Sequence, residues 1–327
     1  MAVYSTGDNK YGIVQETTTN SAILTGDNII LATEKEINID LGLNQINKPK
    51  ASGLSYQRTG NGRDFRKGNQ LPMITLPFDG NSDNTALLLA AFFQNVTESG
   101  TYIYQFDPYT STAHRSIKSS DTSEYSFTLV KQNESSGVYG EYMCGCIVRS
   151  ITLGSSRGEP MSVSAEILGM TYDTQESMSP SFTEFGSAVI MHFDWTAATL
   201  ATVSKDIESW QVTMTNNAYA KYGINQDPDE FLLNSLDVDT AVTFPWDTTD
   251  YKAAAKSNTD YLFEIYKGSK DGTSAGDFYL QSNFVPETVE QGETEGMKTW
   301  TLSGKGANDG TNPAIQIISA TTTDRLS

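Results

Sequence analysis

A chain of 327 residues, 38% of them hydrophobic, is too long for one small β-domain and long enough for two cores of ordinary size. Its 40 acidic and 22 basic side chains leave a net charge of −18, which excludes a phosphate-gripping surface as the general design, because nucleic-acid binding needs Lys and Arg in place of counterions. Only two cysteines, Cys144 and Cys146, are present, so no disulfide framework is possible; one residue apart, they read as small apolar strand residues. Residues 1–11 are polar, without the apolar core of a signal peptide, and no run approaches ~18 apolar residues, so no membrane-spanning segment is expected.

Short alternating runs rich in Thr, Tyr, Val and Ile, separated by Gly, Ser and Asn, predict a mainly β chain. Residues 28–41 read as two short strands, with Ile37, Ile39 and Leu41 on one face. Residues 44–70 have little periodicity and several glycines, and read as a long exposed loop. A strand at 71–78 leads through a turn into a helix at 85–95, apolar on more than one face, with Asp83 or Asn84 as its N-cap. Strands follow at 101–107 and 124–132, then a long pair at 140–154 and 159–169 turning through Ser155-Ser156-Arg157-Gly158.

Residues 173–186 are aperiodic and carry a proline, which places a domain boundary there. Beyond it, strands are predicted at 187–195, 208–216, 235–246, 260–267, 277–285 and 297–304, with a short helix at 248–257 capped by Asp247. A last apolar strand lies in the Thr-rich tail. The halves repeat in order. Thr75-Leu76-Pro77-Phe78-Asp79, a helix and an aromatic strand at 101–107 match Thr243-Phe244-Pro245-Trp246-Asp247, a helix and an aromatic strand at 260–267. That order predicts two tandem domains, 1–175 (with the loop 44–70) and 176–327, each a β-sandwich or barrel with one short helix.

The segment from Tyr142 to Gly169 holds Gly145-Cys146-Ile147-Val148, then Ser150-Ile151-Thr152-Leu153, a turn, and Ser162-Val163-Ser164-Ala165. It resembles the central hairpin of siphophage-type bacteriophage tail tube proteins, and residues 207–217, ending in Asn216-Asn217, are similar to a second strand of that family. The resemblance implies a structural subunit of the virion tail, assembled in the host cytoplasm. Such subunits form rings that stack into a hollow tube through which DNA passes without specific binding. It implies no enzyme activity, cofactor or membrane. The partners it implies are other copies of the chain and the tail terminator, tape measure and distal tail proteins. A duplicated form implies trimeric, pseudo-sixfold rings, with hexamers as the alternative. Little of the chain is left for an extra decoration domain.

Residues 47–69 break the acidic trend. Lys48, Lys50, Arg58, Arg63, Arg66 and Lys67 stand against Asp64 alone, a local charge of +5 that leaves −23 on the rest. Three readings compete: a solvated loop, a nucleic-acid contact aided by Tyr56 and Phe65, and an arm that docks one ring on the next. For docking, the acidic counterparts are Asp227, Asp229 and Glu230, or a loop bearing Glu287, Glu290, Glu293 and Glu295.

Catalytic chemistry is not expected. His114 and His192, the latter read as a strand residue, have no nucleophile motif around them, and no G-x-S-x-G occurs. The cysteines and histidines have no zinc spacing, and Asp271 and Asp277 in the loop 271–277 lack the acidic spacing of a calcium loop. The alternative function is a carbohydrate-binding or adhesin-like β-sandwich virion protein, with Trp195, Trp210, Trp246 and Trp300 as sugar platforms.

Overall fold

The computed structural model describes residues 9–33, 39–42, 45–48, 64–108, 115–122, 124–133, 139–175, 179–183, 187–294 and 296–322, with 324 and 326. Among these residues the chain is mainly β, and eighteen strands join into one system through two long strands, Tyr139–Ser156 and Phe278–Thr294.

Each long strand serves two groups of neighbours. The first half of Tyr139–Ser156 lies between Phe127–Asn133 and Thr171–Gln175; its second half pairs with Ser162–Leu168, which in turn pairs with Met73–Asp79. The first half of Phe278–Thr294 lies between Tyr261–Lys267 and Ile315–Ala320; its second half pairs with Met297–Gly306, which in turn pairs with Asp237–Pro245. Next to these, Asn9–Gln15 pairs with Phe127–Asn133 as Ala197–Leu200 pairs with Tyr261–Lys267. Pro77 and Pro245 sit at matching points of the two schemes, opposite Ser164 and Thr299.

These pairings correct the match made from chain order. The counterpart of the second half's aromatic strand, by position in the pairing scheme, is Phe127–Asn133, not the strand at 101–107. That strand, Ile103–Phe106, pairs across the halves with Ile315–Ala320. The two schemes are also stitched together directly, because Ser209–Thr215 pairs with residues 150–156 on one side and Asp237–Pro245 on the other. The result is a seven-strand run: Met73–Asp79, Ser162–Leu168, the second half of Tyr139–Ser156, Ser209–Thr215, Asp237–Pro245, Met297–Gly306 and the second half of Phe278–Thr294.

Strict alternation gives that run two different faces. Ile74, Leu76, Ile151, Leu153, Val163, Val212, Val242 and Leu302 point into the main core. The first helix, Ser82–Phe93, packs there with every residue buried, as an all-round apolar sequence requires. It starts earlier than expected, and its N-cap is Asn81, whose side chain accepts the Asn84 amide while the Asn84 side chain accepts the Asn81 amide. Asp83 instead accepts from the amides of Ser187 and Thr322, tying the middle and the end of the chain to the helix start.

The second helix is only Tyr251–Lys256 and is capped by Asp250, which accepts the Ala253 amide at 3.0 Å. Asp247 is occupied elsewhere: it accepts from Tyr251 Oη at 2.9 Å and from Lys205. Burial alone would raise its carboxyl, but the bonds from Lys205, the Thr249 amide and Tyr251 outweigh that and hold it below the usual range.

Three further expectations are corrected. Residues 187–195 form no strand; Met191 makes an isolated bridge to Pro160, and His192–Asp194 is a 3₁₀ turn whose Asp194 side chain accepts the Met191 amide. The boundary segment contains the strand Ser179–Thr183, which pairs in parallel with Thr25–Thr33. Residues 286–294 are not a loop: they continue the strand beyond a register shift at Pro286/Thr288, and the acidic side chains mask the period.

Candidate functional site

The outward face of the seven-strand run is the most distinctive surface of the molecule. It is a carpet of hydroxyl and small side chains: Thr75, Ser162, Ser164, Ser150, Thr152, Thr213, Thr215, Thr243, Thr301 and Ser303. Many of the hydroxyls satisfy one another across strands. Ser150 pairs with Thr215 at 3.2 Å, Thr152 with Thr213 at 3.1 Å and Thr243 with Thr301 at 3.0 Å. Its cations are partnered as well: Arg149 meets Glu166 at 3.2 Å, and Lys305 meets Asp239 at 2.6 Å. Such a face offers no free cation cluster to phosphate and no apolar patch.

The run ends differently at its two sides. At one side, the described residues bring only Asp40 to the edge of Met73–Asp79, where it exchanges two backbone bonds with Met73 at 2.7 and 2.8 Å. At the other, residues 285–294 pair with Met297–Gly306 on one edge, and among the described residues no strand pairs with the second edge. Glu287, Glu290 and Glu293 stand exposed along it. Glu295 lies outside the described residues.

The bend in the first long strand is built around a buried acid. Gly145 has a φ of +61°, a left-handed conformation that glycine tolerates, and a Cβ there would meet the Met170 side chain at 2.9 Å. The Glu16 carboxylate accepts from the amides of Gly145 and Asn20 and from the hydroxyls of Ser126 and Thr128, at 2.8–2.9 Å. Burial raises its carboxyl above the ordinary value despite those four donors. Cys144 and Cys146 flank the bend as free, buried thiols; burial pushes Cys144 up to about 12, so it is held as an inert thiol.

The basic segment is less simple than a loop. Gln45–Lys48 and Asp64–Lys67 form a two-stranded hairpin, with Ile46 opposite Arg66 and Asn47 opposite Phe65. Lys50, Arg58 and Arg63, with Tyr56, lie outside the described residues, as do the side-chain positions of Lys48, Arg66 and Lys67. Just past the hairpin, Gln70 bonds to the Gln226 carbonyl and to Asp227 of the same chain. Of the acidic residues considered as its counterpart, Glu230 is buried and bonded to Lys221 Nζ at 2.7 Å and to Ser116. Asp229 accepts from Asn225 at 3.4 Å. Asp227, Asp229 and Glu230 therefore have partners within their own chain, whereas Glu287, Glu290 and Glu293 lie exposed on the sheet edge.

His192 has a partner that sequence reasoning missed. Its Nδ1 lies 2.9 Å from Ser155 Oγ and its Nε2 lies 2.8 Å from the Ile207 carbonyl. The carbonyl fixes the Nε2–H tautomer, so Nδ1 accepts the hydroxyl. Ser155 is buried in the strand pairing, and the arrangement ties the 3₁₀ turn to the sheet. His114 lies outside the described residues. Asp277 closes a turn by accepting the Ser274 amide at 3.0 Å, and no group of three metal-ligating side chains occurs among the described residues. Trp210 and Trp300 are core residues, Trp195 packs edge-on against Trp210 at 5.7 Å, and only Trp246 is substantially exposed.

The family model for the phage tail tube protein matches residues 8–323, nearly the whole chain. The chain belongs to the phage tail tube protein family. No protein among the curated ones matches it. Membership in the tail tube family supports a structural role in a virion tail.

Proposed function

We propose that the chain is a building block that oligomerises into rings, and that the rings stack into a hollow tube conducting DNA. The observation that carries the reading is the seven-strand run, with one face in the core, the other covered by mutually bonded hydroxyls, and one edge left open. An open edge in a soluble protein is usually blunted or covered, and a ring uses it by continuing the sheet into the next copy. The hydroxyl face then lines the channel, where the lack of a free cation cluster lets DNA slide.

The matched pairing schemes around Pro77 and Pro245 support duplication of one tube domain within 1–175 and 176–327, and hence rings of three copies. The basic hairpin with Lys48, Lys50, Arg58, Arg63, Arg66 and Lys67 is read as the arm that docks one ring on the next. Tail terminator, tape measure and distal tail proteins are the partners at the tube's ends, and assembly takes place in the host cytoplasm before incorporation in the virion.

Negative-stain microscopy of concentrated protein tests this: rings or tubes with a central channel are expected. Single particles at every concentration would refute it. The carbohydrate-binding alternative keeps Trp246 as its one substantially exposed tryptophan, because Trp210 and Trp300 are committed to the core.

A further inference from the structure

The chain contains a worked example of how its open edge can be filled. Within one molecule, residues 150–156 of the first long strand pair with Ser209–Thr215, which then pairs with Asp237–Pro245. The second long strand has the same neighbours on its inner side, but among the described residues nothing in the place of Ser209–Thr215.

The missing position can be located by register. Thr152 lies opposite Ser164, which lies opposite Pro77; Gly292 lies opposite Thr299, which lies opposite Pro245. Thr152 and Gly292 are therefore equivalent, and two residues further on so are Gly154 and Thr294. On the other side, Ala241 and Met73 each precede their proline by four residues. Ala241 is opposite Gln211, and Met73 is opposite Asp40. Asp40 is thus the counterpart of Gln211, and Gln211 is the residue that faces Gly154.

The burial pattern follows the same equivalence. Gln211 is exposed between inward Trp210 and Val212; Asp40 is exposed between the half-buried Ile39 and Leu41, and Ile39 packs on the main core. Val212 is fully buried in its joint, whereas Leu41 remains half-buried. Likewise Leu153 is buried while its counterpart Glu293 is exposed.

We propose that the end of that free edge, residues 292–294, pairs antiparallel with residues 40–42 of a second copy of this chain, placing Thr294 opposite Asp40 in the register of the internal joint. The proposal rests on the ring-forming reading and specifies its contact. Charge agrees with it. The edge bears Glu287, Glu290 and Glu293, and the hairpin that begins three residues after Gly42 carries Lys48, Arg66 and Lys67 in its sequence. Opposite charges at the joint favour encounter between copies and fix the direction of pairing. The acidic edge also repels a second identical edge, so two copies cannot join edge to edge through residues 285–294.

A disulfide scan tests the register. Asp40→Cys/Thr294→Cys, assembled and mildly oxidised, should give covalent multimers on a non-reducing gel from most chains; Cys144 and Cys146 are buried and contribute none. Asp40→Cys/Glu290→Cys moves one thiol about 13 Å along the strand and should crosslink at least ~10-fold less. Should the double variant fail to assemble, an equimolar mixture of the two single variants should give crosslinked dimers that neither gives alone. Wild-type rings together with absent or equal crosslinking would overturn the proposed joint while leaving the ring-forming reading intact. Absence of any assembly from the wild-type protein would overturn both.

Discussion

In the first long strand, residues 150–154 have a neighbour on each edge; in the second, among the described residues, 285–294 have Met297–Gly306 alone. The side chains follow that difference. Ile151 and Leu153 are fully buried, whereas Gln291 and Glu293 occupy the equivalent positions and are exposed. The same pairing scheme therefore yields a core joint where its partner lies within the chain and a charged edge where the described residues supply no partner. Charge on an edge keeps an isolated subunit from adding strands indiscriminately, and a specific opposite-charged partner can still be accepted.

Substitutions can sharpen this contrast. The largest effect is expected at the covered strand: Leu153→Ala should destabilise the subunit by about 2–5 kcal/mol in chemical denaturation, through lost burial and the cavity left behind. A loss below about 1 kcal/mol would mean that the joint is not a packed core. Next comes the bend. Gly145→Ala places a Cβ against Met170 at a positive φ, and should cost about 1–3 kcal/mol in the same assay. The double change Glu290→Lys/Glu293→Lys on the free edge should alter subunit stability by no more than about 0.5 kcal/mol while abolishing ring formation. Unimpaired rings would separate the edge from assembly.

The buried Glu16 adds a pH signature. Its folded value is raised by burial, so its contribution to stability is complete below the ordinary carboxylate value and is lost as pH rises through the raised one. Wild-type protein should lose stability relative to Glu16→Gln as pH climbs out of the carboxylate range. Parallel pH profiles would show that Glu16 does not titrate differently in the fold.

Much of this architecture was legible from local pattern. The hairpin at 140–169, the buried first helix and the Pro-aromatic-Asp motifs around Pro77 and Pro245 were all readable from spacing. What alternation and turn chemistry cannot reveal is which strands pair at long range. Ile103–Phe106 resembles Tyr261–Lys267 as an aromatic strand following a helix, yet it belongs to the edge of Ile315–Ala320. Residues 286–294 look like a loop because Gln291 and Glu293 occupy positions that the covered strand fills with Ile151 and Leu153, and a bulge shifts the period. The 3₁₀ turn at His192 is set by Ser155 and the Ile207 carbonyl, contacts remote in sequence that an alternating apolar run does not announce.

The central claim is that one chain supplies two tube domains and leaves one edge for the next copy. Native mass spectrometry of isolated rings tests it most directly. The account predicts a closed species at three times the 35.7-kDa chain, with no larger ring formed by lateral addition. A six-copy ring, or an unbroken ladder of open oligomers, would contradict it.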